Sequence, residues 1–158
     1  MLKKILFFLL TAAMFGCGKG SDAPETAVSI ERFDRELMAV KSEAELKALL
    51  EKNRAVSDLL FGASPADTAF TGDVLHMIQH ADARRLYEQV GETFGDLKSM
   101  EESFARVFDE IRKLYPSFTP PRIVAGFSGL QNDLVVSDSL VVISLESFIG
   151  PKALYRPD

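Results

Sequence analysis

Apolar residues in the middle of the chain recur at the three- and four-residue spacing that amphipathic helices require. In the stretch SIERFDRELMAV this spacing is kept by Ile30, Phe33, Leu37 and Val40, and Ser29 before them is a suitable N-cap. We therefore predict a helix that begins at Ser29 and buries this apolar stripe.

Three further helices and a loop are predicted next. The stretch SEAELKALLEKN begins with Ser42 and Glu45, the Ser-x-x-Glu spacing of a capping box. The stretch FGASPADTAFTGD interrupts the periodicity with glycine and proline, so we predict a loop over residues 61–73. Asp73 and Asp82 are the predicted N-caps of the short helix and the longer helix that follow.

The clearest helical pattern is SMEESFARVFDEIRKLYP. Ser99 and Glu102 repeat the capping-box spacing, and Pro116 is expected to end the helix because proline cannot continue it. The predicted helix has a wide apolar face, made of Phe104, Val107, Phe108, Ile111, Leu114 and Tyr115.

The pattern changes to short apolar, β-branched runs after Pro120 and Pro121. RIVAGF and SLVVISL are predicted strands, and LVVSDS between them is a shorter one that ends in a turn at Ser137 and Asp138. The predicted fold class is α+β, a mostly helical part followed by an antiparallel β-hairpin or three-stranded piece. The last strand would then leave an open apolar edge, so we expect the domain to be incomplete in this chain.

The N-terminus has the pattern of a secretory signal. MLKK is a basic n-region, and ILFFLLTAAMF is an apolar h-region too short for an ordinary membrane-spanning helix. Gly16 and Cys17 follow, and Cys17 is the chain's single cysteine. This arrangement resembles the lipobox of bacterial lipoproteins, although the two residues before Gly16 are Met and Phe. We predict a signal peptide over residues 1–16, a flexible tether over 17–28 and one α+β domain over 29–158.

Cys17 is therefore the predicted site of lipid attachment, and the membrane is the predicted partner of the lipid. The alternatives are a secreted protein with an unused cysteine and an uncleaved N-terminal anchor. The chain has 158 residues, 47% hydrophobic and 26% charged, which is typical of one globular domain. Its net charge of -5 argues against a nucleic-acid partner, which would require a basic surface.

Both histidines of the chain lie in HMIQH, at His76 and His80. On a helix this spacing places them on one face, where two imidazoles can share a metal ion. A zinc-peptidase helix has a glutamate after the first histidine, but this chain has Met77 there, and no third ligand is indicated. We predict two partly exposed surface histidines and no metal or cofactor.

No catalytic residue is predicted. Ser128 in GFSGL does not fit the G-x-S-x-G pattern, so Ser128 is interpreted as a turn residue together with its neighbours. Asp34, Asp82 and Asp138 are interpreted as helix-cap or turn acids.

Three blocks of sequence, taken in order, resemble the GldB gliding-motility lipoprotein family of Bacteroidetes. They are IERFDREL, the run from ADARRLYEQVGETFGD to the proline-terminated helix, and DSLVVISLESFIGP. The residues that match the family pattern are Ile30, Arg32, Phe33 and Asp34, then Asp82, Leu86, Tyr87, Val90 and Phe94, then Asp138, Ser139, Leu140, Leu145, Phe148 and Gly150. The family chain continues beyond the last block, which agrees with an incomplete domain.

The resemblance implies a lipid-anchored protein of the bacterial cell envelope, expected at the outer membrane. Its implied function is that of a non-enzymatic accessory or assembly component of the gliding and secretion machinery, with other envelope proteins as partners. A weaker resemblance is to the upstream half of zinc-dependent peptidases, a zincin-like half-domain whose H-E-x-x-H would lie beyond Asp158. A third alternative is a periplasmic or surface binding lipoprotein without a role in motility.

Overall fold

The structure is a computed structural model and describes residues 24–155. The predicted signal peptide and Cys17 lie outside these residues. The described part contains β1 (Ile30–Arg32), α1 (Phe33–Ala39), α2 (Glu43–Lys52), α3 (Arg54–Phe61), α4 (Thr68–Gln79), α5 (Ala81–Phe94), α6 (Lys98–Leu114), β2 (Arg122–Gly126), β3 (Leu134–Val136), β4 (Leu140–Ser144) and a 3-10 helix (Leu145–Phe148). The predicted α+β class is confirmed.

The strands form one four-stranded mixed sheet in the order β1-β2-β4-β3. β1, β2 and β4 are parallel, and only β3 runs antiparallel, beside β4. The predicted antiparallel arrangement is therefore correct for β3 and β4 but wrong for β2 and β4. The prediction of an open edge at the last strand is also wrong, because β4 lies between β2 and β3. The open edge therefore no longer supports an incomplete domain.

The predicted start of the first helix is wrong. Residues 30–32 form β1 and pair in parallel with Ile123, Val124 and Ala125, so the helix begins only at Phe33. The helical spacing of Ile30 and Phe33 is misleading here, because Ile30 is a strand residue and lies in a different apolar cluster from Phe33. A strand partner this distant in the chain overrides a local preference.

The sheet is covered on both faces, as parallel sheets generally are. Val124 and Val142 belong to one apolar cluster, which is supplied mainly by α1 to α4. Ile123, Ala125 and Ile143 belong to a second cluster, which includes residues of α5 and α6. Among the described residues, no helix is both long enough and apolar enough to cross a membrane.

Three further helix starts differ from their predicted caps. Asp67 caps α4 by accepting from the backbone N–H groups of Ala69 and Phe70, so that helix begins before the predicted Asp73. His80 caps α5, because its ring accepts from the backbone N–H of Asp82. The start of α6 follows a left-handed Leu97 without a side-chain cap. Ser42 does cap α2 by accepting from the backbone N–H of Glu45, but the Glu45 carboxylate accepts from the backbone N–H of Lys41 rather than from that of Ser42.

The apolar face predicted for the long helix is only partly buried. Phe108 lies in the second apolar cluster, and Phe104 and Ile111 pack against it. Leu114 and Tyr115, at the end of the helix, are 77% and 67% exposed. The helix ends at Leu114, just before Pro116, as predicted.

Candidate functional site: a pocket at the carboxyl end of the parallel strands

A pocket of about 450 Å³ lies between α4, α5, the segment that follows β2 and the C-terminal segment. Its apolar lining comes from Met77, Ala83, Leu86, Phe127 and Leu130. Its polar lining comes from His76, His80, Asp82 and Tyr155. The volume is that of a small-ligand or side-chain site. Because Phe127 directly follows β2, the pocket lies at the carboxyl end of the parallel strands, where open α/β sheets commonly bind ligands.

The loop that lines this pocket is held by the carboxylate of Glu146. Its Oε1 accepts from the backbone N–H groups of Ser128 and Leu130, at 2.6 and 3.3 Å, and from the Ser128 hydroxyl at 3.0 Å. Gly129 and Leu130 both have positive φ, 69° and 68°. Successive backbone N–H groups in such a turn converge on one anion, so the loop geometry and the carboxylate are matched.

Glu146 is only 1% exposed, and burial raises the pKa of its carboxyl group. Within residues 24–155, its second oxygen, Oε2, has no hydrogen-bond partner. Sequence reasoning missed this residue. The one available signal was a single acid directly after an apolar strand, in LES. An acid at that position ordinarily marks a strand end that is exposed to solvent.

Ser128 lies in the loop between β2 and β3 and is fully buried. Its Oγ lies 2.8 Å from the carbonyl oxygen of Asn132 and accepts from the Asn132 backbone N–H at 3.1 Å. The Asn132 side chain donates to the carbonyl of Leu60 at 2.8 Å, which ties the loop to α3. These contacts make Ser128 a structural element of the loop.

Gly129 allows the loop to pass close to α4. A Cβ atom at this position would lie 3.1 Å from Sδ and 3.2 Å from Cγ of Met77. The left-handed backbone would add strain for any residue with a side chain. The pocket lining thus depends on glycine at position 129.

His76 and His80 are both exposed at the pocket rim, with ring centroids 6.0 Å apart. Nδ1 of His80 accepts from the backbone N–H of Asp82 at 3.3 Å. His80 is therefore engaged with the N-terminus of α5. No group of three or more His, Cys, Asp or Glu residues in the described part of the chain could hold a metal ion.

Tyr155 and Asp82 close the rim where the C-terminal segment meets α5. A hydrogen bond to Asp82 raises the pKa of the Tyr155 hydroxyl. Asp82 also lies 3.7 Å from Nδ1 of His80 and 3.8 Å from Nη1 of Arg85. Its carboxylate therefore has several neighbours at the rim rather than a single partner.

A second polar cluster lies behind the pocket and joins β1 to α5. Asp34 is fully buried and forms a two-point ion pair with Arg32, at 2.8 Å to Nε and 2.6 Å to Nη2. The Tyr87 hydroxyl donates to the same carboxylate at 3.1 Å. Burial, followed by the charge of Asp34, raises the pKa of Tyr87 to about 12. The Tyr87 ring meets Phe127 edge-on, at 5.7 Å between centroids, so this cluster supports the pocket lining.

The structure shows what the aspartates of the matched sequence blocks contact. Asp34 was predicted to be a cap or turn acid. It lies in the first turn of α1, but its role is a buried ion pair. Asp82 belongs to the first turn of α5, and Asp138 lies in the turn before β4. The matched positions are mostly packing and hydrogen-bonding residues.

Comparison with known proteins agrees with the sequence blocks. The family model described as "Gliding motility protein GldB" matches residues 19–158. This match indicates a lipoprotein related to gliding motility. The chain is a member of the GldB family, as its sequence resemblance predicted. No curated protein and no solved structure matches the chain significantly.

Proposed function

We propose that this chain is a non-enzymatic accessory or assembly component of the gliding and secretion machinery, anchored to the outer membrane by lipid on Cys17. The observation that carries the proposal is the family match over residues 19–158, which begins just after Cys17. A cysteine directly after an apolar h-region is where lipoproteins are acylated. Several acyl chains hold a protein on a membrane far more firmly than one.

The environment of the polar groups supports a binding rather than a catalytic role. Ser128 is buried, and its hydroxyl is engaged by Glu146 and Asn132. His80 is occupied as the cap of α5. The pocket offers a mainly apolar surface with a polar rim, which suits an apolar side chain of a partner protein.

Lipid attachment is tested by the intact mass of the protein extracted from native membranes. We expect the mass of a chain that begins at Cys17 plus its acyl chains. Cys17→Ser should remove the acyl mass and release the protein from the membrane. Separation of inner and outer membranes by density then locates the acylated form. An unmodified Cys17 would contradict the proposal.

The assembly role is tested by co-purification from detergent extracts of cells that express variants at the native locus. Ala83→Phe fills the pocket from α5, and Ala81→Phe adds the same ring at an exposed position of the same helix. We expect Ala83→Phe to lose the co-purified envelope proteins and to impair gliding and secretion, while Ala81→Phe retains both. Equal behaviour of the two variants would contradict a role for the pocket. Unimpaired gliding and secretion after deletion would contradict the assembly role.

A further inference from the structure

We infer that the C-terminal end of α6, with Leu114 and Tyr115, inserts into the interfacial layer of the membrane that holds the lipid of Cys17, so that the pocket faces away from that membrane. The inference rests on the lipid attachment proposed above. It adds the orientation of the domain and the surface that contacts lipid.

Residues 24–28, at the end of the predicted tether, are fastened to α6. The backbone N–H groups of Glu25 and Thr26 donate to the two oxygens of Asp109 at 2.8 and 3.0 Å. Arg112 donates to the Thr26 hydroxyl at 2.9 Å. The hydrogen bond from Thr26 lowers the pKa of Asp109, so this carboxylate is ionised at neutral pH and the clamp is intact.

The N-terminal segment runs antiparallel to α6. Thr26 contacts Asp109, whereas the backbone N–H of Ile30, later in the segment, donates to Glu101, earlier in the helix, at 2.9 Å. The chain therefore reaches the domain at the C-terminal end of α6. From Asp109 the helix rises only about 7.5 Å further to Leu114.

The chain length between the lipid and the clamp limits the distance to the membrane. Pro24 follows Cys17 by seven residues, which span at most about 25 Å when fully extended. A domain of this size is roughly 35 Å across. The end of α6 is therefore the part of the domain that the lipid anchor keeps closest to the bilayer.

The side chains at this end suit a lipid interface. Leu114 and Tyr115 are 77% and 67% exposed, although they continue the apolar face of the helix. This exposed apolar pair offers lipid a contact surface, and tyrosine favours the membrane–water boundary. The adjacent charges are largely balanced, because Lys113 pairs with Glu110 at 2.6 Å and Arg112 faces Asp109 through Thr26. Insertion is thus expected to depend on apolar contact and to change little with salt.

The pocket lies at the other end of the sheet. α6 leads into β2 at Arg122, and Arg122 pairs with Leu140 at the start of β4. The end of α6 therefore lies near the amino ends of the parallel strands. Phe127 and the loop held by Glu146 follow the carboxyl ends of β2 and β4. A membrane at the amino ends of the parallel strands therefore leaves the pocket, at their carboxyl ends, open to partners.

The chain contains no tryptophan, so one introduced tryptophan is a clean optical probe. We would place Leu114→Trp and, as a matched control, Phe148→Trp into the full acylated protein in vesicles of phosphatidylethanolamine and phosphatidylglycerol. Phe148 is 48% exposed and lies in the 3-10 helix just after the carboxyl end of β4. Both sites tolerate the larger ring because neither is buried. The readouts are emission wavelength and quenching by lipids brominated in the acyl chain.

We expect blue-shifted, strongly quenched emission for Leu114→Trp and unquenched emission for Phe148→Trp, in low and high salt alike. Adding Asp109→Ala to Leu114→Trp should release the clamp and reduce the quenching. An acylated protein in which the two probes are quenched equally overturns the orientation while leaving the lipid attachment in place. A mass without acyl chains overturns the lipid attachment and the orientation with it.

Discussion

Replacing Glu146 should separate two effects of one buried carboxylate: its hydrogen bonds to the pocket loop and the cost of burying its charge. Glu146→Ala removes the acceptor for the backbone N–H groups of Ser128 and Leu130. Each buried N–H left without a partner costs about 1–3 kcal/mol, so the expected loss in the free energy of unfolding is about 2–6 kcal/mol. The Ser128 hydroxyl adds little, because it can turn to the carbonyl of Asn132, which lies 2.8 Å away.

Glu146→Gln keeps an acceptor oxygen in the same place and removes the charge. Its amide nitrogen would occupy the position of Oε2, which has no hydrogen-bond partner within residues 24–155. One unpartnered polar atom thus replaces another, and we expect the free energy of unfolding to stay within about 1 kcal/mol of the wild type. The loop hydrogen bonds should survive this change.

The two variants should also differ from the wild type in pH dependence. Burial raises the pKa of Glu146 in the folded state above its unfolded value. As the pH falls, the folded protein therefore binds this proton at a higher pH than the unfolded chain does. The wild type should therefore lose stability as the pH rises from the unfolded pKa through the folded one. Glu146→Gln lacks this contribution, so its stability relative to wild type should improve as the pH is raised from 4.5, the ordinary pKa of a glutamate carboxyl group, to neutrality.

The assay is urea unfolding of the detergent-solubilised protein, followed by helical circular dichroism at both pH values. The acylated wild type and both variants are compared under the same conditions. Equal stability of Glu146→Ala and Glu146→Gln would refute the assignment of the loop hydrogen bonds. A wild type that gains stability over Glu146→Gln as the pH rises would refute the raised pKa.

Three further outcomes follow from the structure. Asp34→Ala leaves the Arg32 guanidinium without its buried partner and should cost about 3–5 kcal/mol in urea unfolding; a change below about 1 kcal/mol would contradict the buried ion pair. Gly129→Ala should lower the free energy of unfolding by about 1–2 kcal/mol, because the backbone at this position is left-handed. Gly91→Ala, in open space within α5, should raise the free energy of unfolding by about 0.5–1 kcal/mol. Thermal unfolding that ranks the two variants the other way would refute the loop geometry. In a spectrophotometric titration Tyr87 should ionise near a pKa of about 12, and Tyr87→Phe should remove that late component; its persistence would show that another group carries it.

Local patterning was sufficient for the elements and helix ends that their own residues specify. Ser42 does cap α2, the long helix does stop before Pro116, and the β-branched runs do form β2 and β4. Helix periodicity, caps and strand propensity act over a few residues, so the sequence records them directly. The predicted turn around Ser128 was correct for the same reason.

Only the tertiary structure decided which elements meet. The strand at Ile30 exists because β2 lies beside it. β4 is an internal strand of the sheet because β3 pairs with the edge of β4 that is opposite β2. Glu146 and Asp34 are recognisable as buried carboxylates only once distant donors surround them. Hydrogen-bond partners and burial are set by packing between segments far apart in sequence, and no local spacing encodes them.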